Sequence, residues 1–174
     1  MLDQVLPGLP QTSTCTSHVS THACIDDYLQ IFRIELETGM VEKVAGDNVF
    51  DNTPGRRSLP SLPNFNSFDI NSVGDVYICH DSGIGVVKNG QYSDVKTGYC
   101  TSIGFLSDNT VIYQDGKLFK TISKEDGNET IVFGADGDGS CENNTVATEC
   151  HLTYEPFSLV VQPDDSFYFF CKYL

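Results

Sequence analysis

Within ten residues, Cys15, His18, His22 and Cys24 form the pattern C-x2-H-x3-H-x-C, four side chains of the types that hold zinc. On a helix His18 and His22 would share a face, but Thr12-Ser13-Thr14, Thr16-Ser17 and Val19-Ser20-Thr21 around them are poor helix formers. In an extended arm Cys15 falls on the face opposite His18, His22 and Cys24. The expectation is a Cys15–Cys24 loop closure with solvent-exposed histidines and no metal. A second candidate, Asp136-Gly137-Asp138-Gly139-Ser140-Cys141-Glu142, puts oxygen ligands at alternate positions, as calcium loops do. It departs from the EF-hand, with Cys141 where Gly is needed and Ala147 where the bidentate Glu belongs, so an acidic, Gly-rich connection is expected. Catalytic patterns are thin: the chain has no G-x-S-x-G elbow, no P-loop and no H-E-x-x-H. His80-Asp81 could meet His151, and Asp47, Asp51, Asp136 and Asp138 could pair along a rim. Twenty-four acidic residues among 174 make such coincidences common, so neither a catalytic residue nor a cofactor is expected.

The charge balance narrows the partners. Ten basic against 24 acidic side chains give a net charge of −14, and like charge repels nucleic acid and acidic membrane surfaces. The longest apolar runs, such as Phe167-Tyr168-Phe169-Phe170-Cys171, are far below the roughly 20 residues of a transmembrane helix. Eleven Phe and eight Tyr can fill a core. Seven cysteines point to an oxidising compartment, and two N-linked glycan acceptors agree, Asn128-Glu129-Thr130 and Asn143-Asn144-Thr145. Met1–Pro7 has neither a basic start nor an apolar signal core, so either the leader lies upstream or the protein is cytosolic with free thiols; the cysteines and glycan acceptors favour the first, a piece of a secreted or cell-surface precursor.

The elements that must position these residues are strands. No stretch of 11 or more residues keeps apolar positions at helical spacing. Short runs rich in Val, Ile, Phe and Tyr recur instead, among them Asp75–Cys79, Gly85–Lys88, Thr110–Gln114, Lys117–Ile122 and Ser166–Cys171. Thr38-Gly39, Asn89-Gly90, Asp108-Asn109, Asp115-Gly116, Asp126-Gly127 and Pro163-Asp164-Asp165 separate them with turn chemistry that tolerates positive φ. The chain reads as all-β and antiparallel. Residues 1–27, Ser/Thr-rich behind Pro7 and Pro10, read as an extended arm or linker. Gly74-Asp75-Val76-Tyr77-Ile78 is echoed by Asn109-Thr110-Val111-Ile112-Tyr113 and by Asp165-Ser166-Phe167-Tyr168-Phe169, each after an apolar strand and a polar turn. Val44-Ala45-Gly46 and Val132-Phe133-Gly134 lie 88 residues apart, two units of 44, which fits four-stranded propeller blades of about 40–45 residues.

Ile31-Phe32-Arg33-Ile34, Thr38-Gly39 and Val41-Glu42-Lys43-Val44-Ala45-Gly46 together resemble the end of an NHL-repeat blade. Gly74-Asp75-Val76-Tyr77-Ile78-Cys79-His80-Asp81-Ser82-Gly83 resembles the second strand of that family, and Gly134 to Pro156 resembles its inter-blade loop, in the style of extracellular teneurin versions. The resemblance covers residues 28–174 and implies a β-propeller-like array of four-stranded antiparallel blades, a scaffold rather than one chemistry. It also gives Asp81 a structural place at a strand end. Within it, Cys141 and Cys150 bracket the long blade loop that carries Asn143, and are expected to close it. Cys79 ends a strand and Cys100 opens the next unit, so they are candidates to pair across neighbouring blades. Cys171 is left as the odd thiol.

Residues 28–46 read as the last two strands of a blade, 65–96 and 99–133 as fuller units, and 155–174 as the first two strands of another. Joining the terminal halves gives three blades, below the four to eight of closed propellers. The chain is then expected to be part of a longer propeller, or to associate with itself or a protein partner through terminal strands, with Phe167–Cys171 as one edge. The function that follows is a non-enzymatic extracellular structural or interaction module. The alternative is a propeller enzyme resembling amidating lyases or lactonases, or a ligand-binding or lectin-like domain with a channel or rim site. Only His80 and His151 lie outside the arm to serve a metal channel, which favours the module.

Overall fold

The computed structural model describes residues 14–18, 21–25, 31–35, 37–45, 65–89, 91–137, 140–142 and 145–171, with the backbone alone along 14–18, 21–25 and 44–45. Fourteen strands and one 3-10 turn, Ala147–Glu149, make up the described chain. β1 (Thr14–His18), β2 (Thr21–Ile25), β3 (Ile31–Glu35) and β4 (Val41–Ala45) form the first sheet; β5 (Ser67–Ile70), β6 (Val76–His80), β7 (Gly83–Lys88) and β8 (Gln91–Thr97) form the second. The third comprises β9 (Ser102–Phe105), β10 (Val111–Asp115), β11 (Leu118–Ile122) and β12 (Glu129–Phe133), and the fourth has β13 (Pro156–Val161) and β14 (Phe167–Cys171). Each sheet is an antiparallel meander in chain order. The first strands touch in sequence, β1 with β5, β5 with β9 and β9 with β13, so they line one axis while later strands fan outward. This is a propeller-like array.

Two expectations are corrected here. Thr14–His18 and Thr21–Ile25 are not an arm: they are paired antiparallel strands, and the second pairs with β3, from Thr21↔Glu35 to Ile25↔Ile31. The first sheet therefore has four strands rather than two, and cannot be completed by β13 and β14. The array is three four-stranded sheets followed by a two-stranded one.

Local chemistry explains the repeats. In the β5–β6 turn the Asn71 amide donates to Asp75 O and the Gly74 amide to Asn71 O, with Gly74 at φ 89°. The β9–β10 turn repeats both bonds with Leu106, Asn109 and Thr110, and the β13–β14 turn repeats them with Gln162, Asp165 and Ser166. Asn109 (φ 65°) and Asp165 (φ 66°) take the left-handed place of Gly74, which Asn and Asp tolerate best among residues with a Cβ. β4 and β12, which end on Val44-Ala45 and Val132-Phe133 of the echoes, are both the fourth strands of their sheets.

Side-chain alternation fills the gaps between sheets. Ile31 packs with Phe68, Ile70, Val76, Ile78 and Val87 between the first two sheets. Cys79, Ile84, Cys100, Ile103, Val111, Tyr113 and Ile122 fill the next gap. Between the third and fourth, Phe119 stands 5.3 Å from Phe167 and 4.9 Å from Phe169, centroid to centroid. Phe133 lies 4.9 Å from Phe169. Burying a ring such as Phe119 contributes roughly 2–3 kcal/mol. β9 approaches the last sheet closely at Gly104, where a Cβ would stand 2.7 Å from Val161 Cγ2.

Candidate functional site

Polar chemistry concentrates at the seams between sheets. A cleft of about 590 Å³ opens between the second and third sheets, lined by Asp75, Lys88, Lys96 and Lys124 with the amides of Asn71 and Asn109. Three of the chain's ten basic residues meet there. Each has a partner: Lys88 pairs with Asp75 at 3.2 Å, Lys96 with Glu129 at 3.1 Å, and the Lys124 ammonium donates to the Asp108 carbonyl. Behind Lys96, Lys120 holds Asp115 at 2.6 Å and Glu129 at 3.7 Å. Lys96 also sits over the Tyr113 ring, 5.2 Å from its centroid.

Titration follows this pairing. Burial alone would raise Glu129, but the Lys96 hydrogen bond and the charges of Lys96 and Lys120 outweigh it and hold the carboxyl below its ordinary range. Burial would lower Lys120, yet Asp115 and Glu129 push it above the usual ammonium value. Burial, then the Glu129 carboxylate, push the Tyr113 phenol up. Its hydroxyl is buried beside Glu129 without a hydrogen bond of ordinary geometry. The cluster brings strands β8, β10, β11 and β12 together, and its cations are neutralised within it. Sequence reasoning did not find it, because no local spacing links Lys96 to Glu129.

His80 is buried in the second sheet within a directional chain of hydrogen bonds. The Ser82 amide donates to Nδ1 at 3.3 Å, and the Tyr92 hydroxyl donates to Asp94 Oδ1 at 3.0 Å. The His80–Tyr92 contact at 3.1 Å therefore carries the Nε2 proton toward Tyr92. Each polar atom of this histidine thus has a partner within its own sheet. His151 stands beside Gly137, its Nδ1 buried without a hydrogen-bond partner. Asp81 accepts from Asn66 Nδ2 at 2.9 Å, and the same amide donates to the Cys100 carbonyl at 2.8 Å, joining two sheets.

The cysteines staple the array. Cys79 and Cys100 are bonded, both fully buried, across the second and third sheets. Cys141 and Cys150 are bonded across the long connection, and Cys171 is free. The hairpin register sets Cys15 opposite Cys24, with Ser17 opposite His22 and His18 opposite Thr21. Cross-strand partners occupy one face, so positions 15 and 24 share a face rather than opposing each other, and position 18 falls on the other side. The pairing state of Cys15 and Cys24 lies outside the described residues, as do Asp47, Asp51, Asp138, Gly139 and Asn143. Among the described residues no group of three or more His, Cys, Asp or Glu is arranged to hold a metal. Asn128 is exposed at the entrance to β12, its backbone N–H donating to Asp126 Oδ1 at 3.1 Å and its side-chain Nδ2 to Asp126 Oδ2.

The fourth sheet presents a different surface. Phe157, Val160, Tyr168 and Phe170 are 60, 45, 62 and 56% exposed on the side away from the third sheet. Val160 pairs with Tyr168, and the Phe157 and Phe170 rings stand 6.1 Å apart. Neither strand carries a charged residue.

No family model matches the chain, so the NHL and teneurin resemblance gains no family assignment, and no curated protein matches it. Solved structures do share its fold. One is a structural-genomics protein of unknown function from Bacteroides thetaiotaomicron, with 12% identity and a TM-score of 0.60 over 86% of this chain and 41% of the other. Another is the extracellular domain assigned to the hybrid two-component system BT3049 of that organism, with 12% identity and a TM-score of 0.51 over 95% of this chain and 20% of the other. The chain spans less than half the length of these structures. At such identity the likeness is one of fold.

Proposed function

We propose that the chain is a non-enzymatic structural and interaction module that works outside the cell, with the sheet array as scaffold and the terminal sheet as contact surface. One observation carries the reading: charged groups at the seams pair internally, whereas the uncharged face of β13 and β14 is left to solvent. An apolar patch rimmed by polar groups marks a surface for another protein. Two disulfides, an exposed Asn128 acceptor and the extracellular fold neighbour support the location. Protein partners or self-association through the terminal strands, and N-linked sugar at Asn128 and Asn143, belong to the same reading.

Production through a eukaryotic secretory pathway tests it. Enzymatic removal of N-glycans should shift the mass of the secreted chain, and Asn128→Gln should remove one increment of that shift. Unmodified asparagines together with reduced Cys79 and Cys100 in material from the native source would overturn the location.

A further inference from the structure

We propose that the cleft between the second and third sheets is a binding site for a small organic acid, a single carboxylate carried on an apolar body. The inference is independent of where the chain works and of what the fourth sheet contacts. Three observations carry it.

The first is a preformed cleft with an apolar interior. The Cys79–Cys100 bond and the hydrogen bonds between Asn109 and Ser72 hold the two sheets at a fixed spacing, and about 590 Å³ stays open between them. Sites for small molecules are largely preformed and run from about 300 to about 1,000 Å³. Val111 and Ile122, both buried, form the floor, and Tyr77 lines the side of the second sheet. Val73 and Val95 are exposed around it, apolar surface that the body of a ligand would take out of water.

The second is a cation with a neutral partner. In a chain of net charge −14, three ammonium groups line this cleft against the single carboxylate of Asp75. Lys88 answers Asp75, which Asn71 Nδ2 also holds at 3.3 Å, and Lys96 answers Glu129. Lys124 differs: it donates to the Asp108 carbonyl and forms no ion pair among the described residues. The Asp108 carboxylate feels its charge but is committed to the amide and hydroxyl of Thr110, at 2.7 and 2.9 Å. One ammonium without a carboxylate matches one negative charge. A polyanion would meet Asp75, and like charges brought together are costly.

The third is an open donor. The Tyr77 ring is fixed edge-on against Phe105, with centroids 4.9 Å apart, yet its hydroxyl has no hydrogen bond among the described residues. Burial, then the charge of Asp75, push this phenol up, so it keeps its proton at neutral pH. A carboxylate supplies the acceptor that the phenol lacks and the charge that Lys124 lacks, and hydrogen bonds to an ionised acceptor are the strong ones. A neutral amide of the same shape leaves the ammonium unmatched.

Amide chemical shifts of the full chain, titrated with phenylacetate, test the site. Phenylacetamide, acetate and inorganic phosphate are the comparison probes: the first lacks the charge, and the other two lack the apolar body. Phenylacetate should give saturable shifts at residues 71–77 and 122–127, and the other three should bind at least about tenfold more weakly. Lys124→Gln should weaken phenylacetate about tenfold. Val73 is 75% exposed, so Val73→Glu leaves the fold intact, and its charge beside the cleft should weaken phenylacetate about fivefold. Lys117→Gln, which removes an exposed cation outside the cleft, should change nothing. No saturable shift up to the solubility limit would overturn the proposal, as would phenylacetamide or phosphate binding as tightly as phenylacetate. Binding that is indifferent to Val73→Glu, or that falls as much with Lys117→Gln as with Lys124→Gln, would overturn it too.

Discussion

Asn109 holds Ser72 through two hydrogen bonds that cross from the third sheet to the second, one to its amide and one to its hydroxyl. The same residue sits at φ 65° in its own turn, so one side chain shapes a turn and fixes the spacing between sheets. These roles separate experimentally. Asn109→Gly keeps the left-handed backbone and loses both bonds, and should cost about 1 kcal/mol, since each bond is partly exposed. Asn109→Ala loses the bonds and adds the left-handed strain of a Cβ, for about 2 kcal/mol in total. Denaturant titration of both variants checks the order; an Asn109→Gly chain as stable as wild type would show that the latch contributes nothing, and equal losses in the two variants would show the same of the strain.

The two disulfides should differ in worth. Cys79 and Cys100 are 21 residues apart and fully buried between two sheets, whereas Cys141 and Cys150 are 9 apart, with Cys150 buried and Cys141 exposed. Closing a loop of the first size restricts the unfolded chain by about 3 kcal/mol, and the shorter loop by somewhat less. Replacing Cys79 and Cys100 by Ala also leaves a gap in the core, so the melting temperature should fall by at least roughly 6–12 °C. The matching change at Cys141 and Cys150 should cost less. Calorimetry of the two double variants, with Cys171 intact, makes the comparison.

Much of this fold was written in short-range chemistry. Gly74, Asn109 and Asp165 head the three echoes, and all three occupy the left-handed place of one repeated turn. Cys79 at a strand end and Cys100 at the start of the next unit marked a seam because strand ends and unit starts are legible from pattern. The first hairpin was missed for a physical reason. Thr14-Cys15-Thr16-Ser17-His18 has little apolar alternation, and its strand character rests on β-branched Thr and on pairing with β2, which in turn pairs with β3. Lys96 and Glu129 meet only after two sheets have stacked, so their contact has no local signature.

The Glu129 cluster sets an acid limit. Its folded carboxyl titrates below the ordinary 4.5, so the stabilisation it brings is complete above that value and is lost as pH falls through the lower folded value. Protonation frees Lys96 and Lys120 from their shared partner. Wild type should therefore lose stability more steeply than Glu129→Gln between about pH 5 and about pH 3, with the variant the less stable of the two at neutral pH. Denaturation midpoints across that range are the measurement, and parallel curves would remove Glu129 from the account.

At the alkaline end the tyrosines carry the signal. Tyr92 titrates at about 12, raised first by burial and then by its bond to Asp94, and burial leads the upward shifts of Tyr77, Tyr99 and Tyr113. A raised phenol contributes stability that is complete below its ordinary value of 10 and disappears as pH rises through the folded value. Ultraviolet titration should show a late group of tyrosinates that joins the early group when the protein is unfolded. Gly85 makes the assignment to Tyr92 testable, because a Cβ there would stand 2.2 Å from the Tyr92 hydroxyl oxygen and 2.3 Å from the ring. Gly85→Ala must push the ring off β7, breaking its bonds to His80 and Asp94, and should cost about 1–3 kcal/mol. It should also move one tyrosine from the late group to the early one, as Tyr92→Phe should delete it. A Gly85→Ala chain with an unchanged titration would mean that Tyr92 is not clamped between β7 and the His80–Asp94 chain.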